Sequence, residues 1–274
     1  MNFIFPEGKS RALTFSFDDN QCFDRKLVEI FNKYNMKGTF NLNSGTLGFK
    51  DDEVEFITKE EVVELYKGHE IAVHGKDHKF LFGLPDSMII NEFLDDRRAL
   101  EDITGKMVQG CAYAFGWHNQ KAQDILHSIG IKYARGVDNS NFFFPPMDFL
   151  NWQPTCHQEA DNLFELGKSF LDVPSFIELP IMYVWGHSFE FGRSGDWSRI
   201  EKFCETMCNK EEIWYATNIE ICNYILATRS LEFSGDGRKV YNPTLHTIWA
   251  TENGKTFTIK PGETVTVSAT DKIF

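Results

Sequence analysis

Leu13-Thr14-Phe15-Ser16-Phe17-Asp18-Asp19-Asn20 decides the fold of this 274-residue chain. Its apolar and small residues run to position 17 and stop at two adjacent carboxylates, as in a buried strand that ends at a working edge. Some fifty residues on, Ile71-Ala72-Val73 leads into His74-Gly75-Lys76-Asp77-His78, a second strand ending in a histidine with another four residues later. Carboxylate oxygen and imidazole nitrogen are ligands that zinc and similar divalent ions accept. Asp19, His74 and His78 make three, which leaves a position for water, and the spare carboxylate of Asp18 can take that water's proton. The residues therefore point to a metal-dependent hydrolase. Either motif alone is commonplace, since paired aspartates also form turns and caps and histidines also sit on surfaces or in satisfied cores. Their order and their shared place at strand ends carry the reading.

The composition sets bounds. The length is ample for one large domain. A net charge of −12 leaves no basic stripe to neutralise phosphates, which argues against nucleic acid. No apolar run approaches a membrane span, and Met-Asn-Phe-Ile-Phe-Pro-Glu-Gly at the start lacks the basic and apolar regions of a signal peptide. The expectation is a cytoplasmic protein, or a secreted one had an export segment been removed. Six scattered cysteines fit reduced thiols, and Cys204 with Cys208 makes a poor zinc site without a second pair.

β-rich runs at 12–17, 38–42, 70–74, 108–114, 132–136, 177–185 and 213–216 alternate with helical ones. Thr58 with Glu61, and Thr217 with Glu220, read as capping boxes; Asn119 reads as the cap of a helix over 120–129. Ile89, Phe93, Arg97, Leu100 and Ile103 share one helical face that Gly105 can close. Seven strands, each followed by a helix or a loop, imply a parallel sheet closing as a barrel, with chemistry gathered at the carboxyl-terminal strand ends. Asp18, Asp19, His74, the stretch 113–116 and His187 all fall at such ends. After position 229 the pattern changes to short alternating runs split by Glu252-Asn253-Gly254 and Lys260-Pro261-Gly262-Glu263. The expected organisation is an α/β chain: a (β/α) barrel over 1–229 and a small antiparallel β appendage over 230–274 packed against it.

Phe15-Ser16-Phe17-Asp18-Asp19-Asn20 resembles the first motif of the polysaccharide deacetylase family, the NodB-homology domain, whose usual form is Thr-Phe-Asp-Asp-Gly. His74 to His78 resembles its His-Ser/Thr-x-x-His motif, with Gly75 in the hydroxyl position. Gly38-Thr39-Phe40-Asn41-Leu42 resembles its second strand, and Val184-Trp185-Gly186-His187-Ser188 its last motif. The likeness covers roughly residues 10–228 and implies a distorted seven-unit (β/α) barrel. Two motifs depart from the family. Ala112-Tyr113-Ala114-Phe115-Gly116 stands for Arg-Pro-Pro-Tyr-Gly and lacks the arginine; Asp148-Phe149-Leu150-Asn151-Trp152 stands for Asp-x-x-Asp-Trp and has asparagine at the second acidic position. Losing both charges strands neither of them, which suits a diverged subfamily. Arg135, at the end of the fifth candidate strand, is the candidate to replace the arginine at Asp18, against a salt-bridge partner elsewhere.

The resemblance implies removal of N-acetyl groups from a carbohydrate. Asp19, His74 and His78 would hold a divalent ion, zinc first and cobalt or nickel as substitutes. Asp18 would be the base, His187 the acid, and a backbone N–H near Phe115 would face the oxyanion. Trp117, His118 and Trp152, in loops on the expected active face, are candidates to contact a pyranose ring or to pack a lid. Without an export signal, a soluble N-acetylated mono- or oligosaccharide is the expected partner. Two alternatives stay open: a metal-dependent amidase or esterase on a non-sugar substrate, and a non-catalytic carbohydrate-binding protein.

Overall fold

Eight parallel strands form the central sheet of the computed structural model, which describes residues 1–268. Side by side they run Tyr133–Arg135, Gly110–Ala112, Glu70–Val73, Gly38–Leu42, Arg11–Asp18, Ile181–His187 and Cys156–His157, with Ile213–Tyr215 against the start of Arg11–Asp18. The two edges meet through Trp152. It bridges Arg135 in parallel, its N–H reaches Ala134 O at 3.0 Å, and Gly136 N reaches its carbonyl at 3.1 Å. Residues 152–157 thus join both edges, and the sheet curls into a distorted barrel of seven units.

The expected number of units holds, but one member differs. The 213–216 run lies beside the first strand, and the ring position falls to 152–157. That segment carries Pro154 and only two residues of regular strand, Cys156–His157, too few to show a period.

The alternation of Arg11–Asp18 explains both of its faces. Leu13, Phe15 and Phe17 join the outer apolar core. Phe15 packs 4.7 Å from Phe31 of the helix Asp24–Lys33 and edge-on to Phe203 of the helix Ser198–Met207. Burying each such ring contributes roughly 1.5–3 kcal/mol. Thr14, Ser16 and Asp18 point inward to a polar barrel interior. There Thr14 Oγ1 donates to Asn218 Oδ1 (2.8 Å) and Asn41 Nδ2 to Ser16 Oγ (2.7 Å).

Three of the expected helix ends are found. Gly105 closes Asp86–Thr104 in the left-handed region at φ +64°. Asn119 Oδ1 accepts from Ala122 N at 3.0 Å, and Thr217 with Glu220 forms the reciprocal box. Thr58 and Glu61 do so only in part. Glu61 accepts the Thr58 N–H (2.9 Å), but its other oxygen is held by Arg25 at 2.8 Å, and the helix is only Val62–Leu65.

The C-terminal strands form two three-stranded antiparallel sheets. Glu232–Phe233, Lys239–Tyr241 and Thr264–Thr266 make one; Ile248–Glu252 and Lys255–Ile259 make the other together with the N-terminal strand Asn2–Ile4. Val240, Ile248 and Ile259 share a second apolar cluster with Tyr133 and Tyr183 of the barrel and Ile221 and Ile225 of the helix Asn218–Arg229. The last part of the expected appendage, 269–274, lies outside the described residues. Among the described residues no helix is long and apolar enough to cross a membrane, and all six cysteines are free.

Candidate metal centre and active site

Strand register assembles the site. Asp18 stands opposite Asn41 on one neighbour and His187 on the other, and Val73 opposite Leu42 brings His74 to the same rim. Adjacent residues of a regular strand face opposite ways, so Asp18 and Asp19 can serve one site only if the strand ends between them. It does: Asp19 adopts φ +78° and Asn20 φ +38°. His78 is also left-handed, at φ +52°. Backbone held in this sparsely populated region by non-glycine residues is the kind of strain that collects at functional sites.

Asp19 Oδ1 lies 3.5 Å from His74 Nε2 and 3.4 Å from His78 Nε2. One donor atom from each of the three residues lies within 4.8 Å of the others. The buried His74 Nδ1 is 2.9 Å from Ala112 O, so that nitrogen carries the proton and the Nε2 lone pair faces Asp19. The backbone of His74 is fixed as well, its N–H shared between Leu42 O (3.0 Å) and Asp96 Oδ2 (3.1 Å). Burial pushes the Asp96 carboxyl up to about 6. His74 is enclosed while Asp19 and His78 are partly open. One carboxylate and two imidazoles with an open side suit a divalent ion that retains a free position.

Gly75 also finds its reason here. It adopts φ +85°, and a Cβ would stand 3.0 Å from Glu92 Oε1. That carboxylate is occupied in holding the turn, accepting from Asp77 N (2.8 Å) and Lys79 N (3.1 Å).

Arg135 reaches Asp18. Its guanidinium, fully buried, donates to Asp18 Oδ2, and its other arm reaches Gly136 O at 2.9 Å. Trp185 lies against it, ring centroid 4.5 Å from Cζ. Asn41 Nδ2 holds the other oxygen of Asp18 at 2.8 Å. Burial drives the Asp18 carboxyl upward, but the Arg135 charge, aided by His74 and His187, prevails and holds it at about 2. Arg135 stands opposite Ala112 on the neighbouring strand. The positive charge absent from the 112–116 motif therefore enters one strand over. Asn151, at the other altered position, accepts from Gln153 Nε2 (2.7 Å) and pairs with His118 Nε2 (3.0 Å).

His187 ends its strand and caps the helix Ser188–Ser194. Its Nε2 lies 3.9 Å from Asp19 Oδ2 and 4.0 Å from Asp18 Oδ2, and its Nδ1 is 3.1 Å from Glu190 Oε1. Burial lowers its pKa, but the Glu190 hydrogen bond and the Asp18 and Asp19 charges outweigh it, so the net direction is upward from 6.5. Glu190 and His157 escaped the sequence reading. The one signal for Glu190 was its place three residues after a strand-end histidine, the spacing of a helix-opening box.

The candidate substrate residues divide. Phe115, in the left-handed region at φ +58° and 61% exposed, stands edge-on to His78 at 4.6 Å. Trp117 lies beyond it, against Phe80 and Phe82, two exposed rings not picked out from sequence. His118 is stacked on Tyr113 at 4.7 Å. Trp152 corrects its expectation as a sugar contact. At 2% exposure it is wedged among Tyr133, Phe149 and Tyr183 and offers no face to a ligand, because its segment is the one that closes the barrel.

Among curated proteins none matches this sequence. Solved structures share the fold. A putative polysaccharide deacetylase from Mycobacterium smegmatis superposes with a TM-score of 0.63 at 19% identity, covering 83% of this chain and 94% of its own. The Xyl-CE4 domain of a multidomain xylanase from the hindgut metagenome of Trinervitermes trinervoides gives 0.55 at 15% identity, covering 80% and 92%. Puue allantoinase gives 0.59 at 12%, covering 80% and 91%. The sequence profile of the polysaccharide deacetylase family matches residues 6–134, a span that contains Asp18, Asp19, His74 and His78. These four residues are gathered at one rim of a distorted seven-unit barrel, and over residues 6–134 the chain is similar to the polysaccharide deacetylase family.

Proposed function

We propose that this protein is a metal-dependent hydrolase that removes N-acetyl groups from a carbohydrate, with Asp19, His74 and His78 holding a zinc ion. The observation that carries the reading is the flanking of those three ligands by Asp18 and His187, register partners on adjacent strands. A zinc, cobalt or nickel ion bound there polarises the amide carbonyl and brings the pKa of water down to about 7. Asp18, kept ionised by Arg135, accepts the proton of the attacking water. A backbone N–H near Phe115, in the turn Ala114–Gly116, serves in this reading as the donor to the developing oxyanion. Glu190 keeps the His187 proton on Nδ1 at rest, so Nε2 faces the reacting centre; protonated there, it delivers its proton to the departing amine, which leaves poorly as an anion.

A net charge of −12 favours a neutral or cationic sugar over a phosphorylated one, because repulsion slows an anion's approach. The test is acetate release from N-acetylglucosamine, short chitooligosaccharides, polymeric chitin and peptidoglycan fragments. Release from the soluble members supports the reading; activity on insoluble polymer alone overturns the small-substrate part. The second reading is a non-sugar amidase, for which the shared fold of an allantoinase is the observation. No release from any sugar, with hydrolysis of a simple cyclic or linear amide, selects it.

A further inference from the structure

Outside the Asp19 trio, one other cluster among the described residues has the composition of a metal site. His157, His187 and Glu190 each place one donor atom within 4.8 Å of the others. Glu190 lies between the two imidazoles, Oε1 at 3.1 Å from His187 Nδ1 and Oε2 at 3.3 Å from His157 Nε2. Donors around a tetrahedral zinc at 2.0–2.1 Å stand about 3.3–3.5 Å apart, so a small inward shift of these side chains suffices. All three are mostly enclosed but still open to an ion. A separate feature lies at their edge. Gln158 is fully buried, and its Nε2 donates to Glu190 Oε2 and His187 O, while its Oε1 has no donor. A buried acceptor without a partner is unfavourable, and here it belongs to the side chain that holds Glu190.

We propose a second divalent-metal site formed by His157, His187 and Glu190, whose occupation switches the enzyme off. Binding itself is independent of the deacetylase reading; the inhibition rests on that reading's role for His187. His187 offers one nitrogen to each cluster, Nε2 toward Asp18 and Asp19 and Nδ1 toward Glu190. An ion taken at Nδ1 moves that nitrogen's proton to Nε2. The ring then has both nitrogens occupied and cannot take up the extra proton it must deliver to the amine. His157 binds through Nε2, its proton moving to Nδ1 with loss of the 3.2 Å bond from Glu159 N. Loss of that bond makes this the weaker of the two sites.

Zinc alone is the probe. Equilibrium dialysis across a zinc series, with elemental analysis, should give two ions per chain for wild type and one for His157→Ala. His157→Gln serves as a second variant in case the alanine perturbs folding. Turnover at low zinc should agree within about twofold between wild type and either variant. At high zinc it should fall about tenfold in wild type and stay level in the variants. A single ion in wild type throughout, or two in both variants, overturns the site. Inhibition that persists in both variants overturns the switch. If no acetate is released under any condition, the ion counts still decide the site, and only the deacetylase reading fails.

Discussion

Arg135→Met removes the charge that holds Asp18 while filling much of the same volume. Asp18 and Arg135 are both almost wholly enclosed, so the variant leaves a buried carboxylate without its partner. A carboxyl at about 2 in the folded chain, against 3.8 normally, is worth about 2 kcal/mol of folding stability at neutral pH. Breaking a buried pair by removing one member costs about 3–5 kcal/mol by general experience; these figures describe one interaction and do not add. The expected loss is therefore roughly 2–4 kcal/mol, or about 2–4 °C of melting temperature per kcal/mol for a chain approaching this size. The sign with pH follows from the downward shift. The contribution is complete above the unfolded value near 4 and is lost as pH falls toward 2, so the gap between wild type and variant should narrow over that interval. Urea unfolding in a chelator, which removes stabilisation by bound metal, measures it. A variant within about 0.5 kcal/mol of wild type at pH 7, or a gap that widens on acidification, refutes the assignment.

His74→Ala and His78→Ala should each lose most of the tightly held ion by elemental analysis at low zinc, and full retention by either would remove it from the ligand set. Asp18→Asn should keep that ion and lose on the order of 10²–10⁴ in kcat for acetate release; turnover near wild type would show that another group takes the proton. His187→Ala should lose less on acetyl esters with good leaving groups than on acetamides, a contrast that two parallel rate measurements test. Asn119→Ala should destabilise by about 1 kcal/mol in urea through loss of the Ala122 N–H bond, with acetate release unchanged.

Residues whose role is local were legible in the sequence. Strand ends at Asp18, His74 and His187, the Asn119 cap and the Gly105 stop each depend on a few neighbours, and periodicity or capping chemistry exposes them. Arg135 was reachable because its strand could be read and its charge had to be buried at a strand end. What escaped depends on partners distant in sequence. Residues 152–157 become strand only because two finished edges lie on either side, so Trp152 read as a surface ring and proved to be packing. Glu190 looks like any first-turn acid until the fold sets His157 beside it. Asn2–Ile4 is too short to declare itself without Ile248–Glu252.

That last pairing has a consequence for how the chain acquires its structure. Asn2 pairs with Thr251 and Ile4 with Trp249, and the carbonyl of Ile4 takes the Tyr224 hydroxyl at 2.6 Å. Phe5, fully buried, rests against Trp214 and Tyr224. Asn2–Ile4 therefore waits for a partner strand far along the chain before it can settle. Contacts of such separation slow folding, because the loop must close before they return any stabilisation. Until that pairing forms, apolar side chains such as Ile181, Ile221 and Ile225 lack part of the cluster that buries them, and apolar surface exposed in this way favours aggregation.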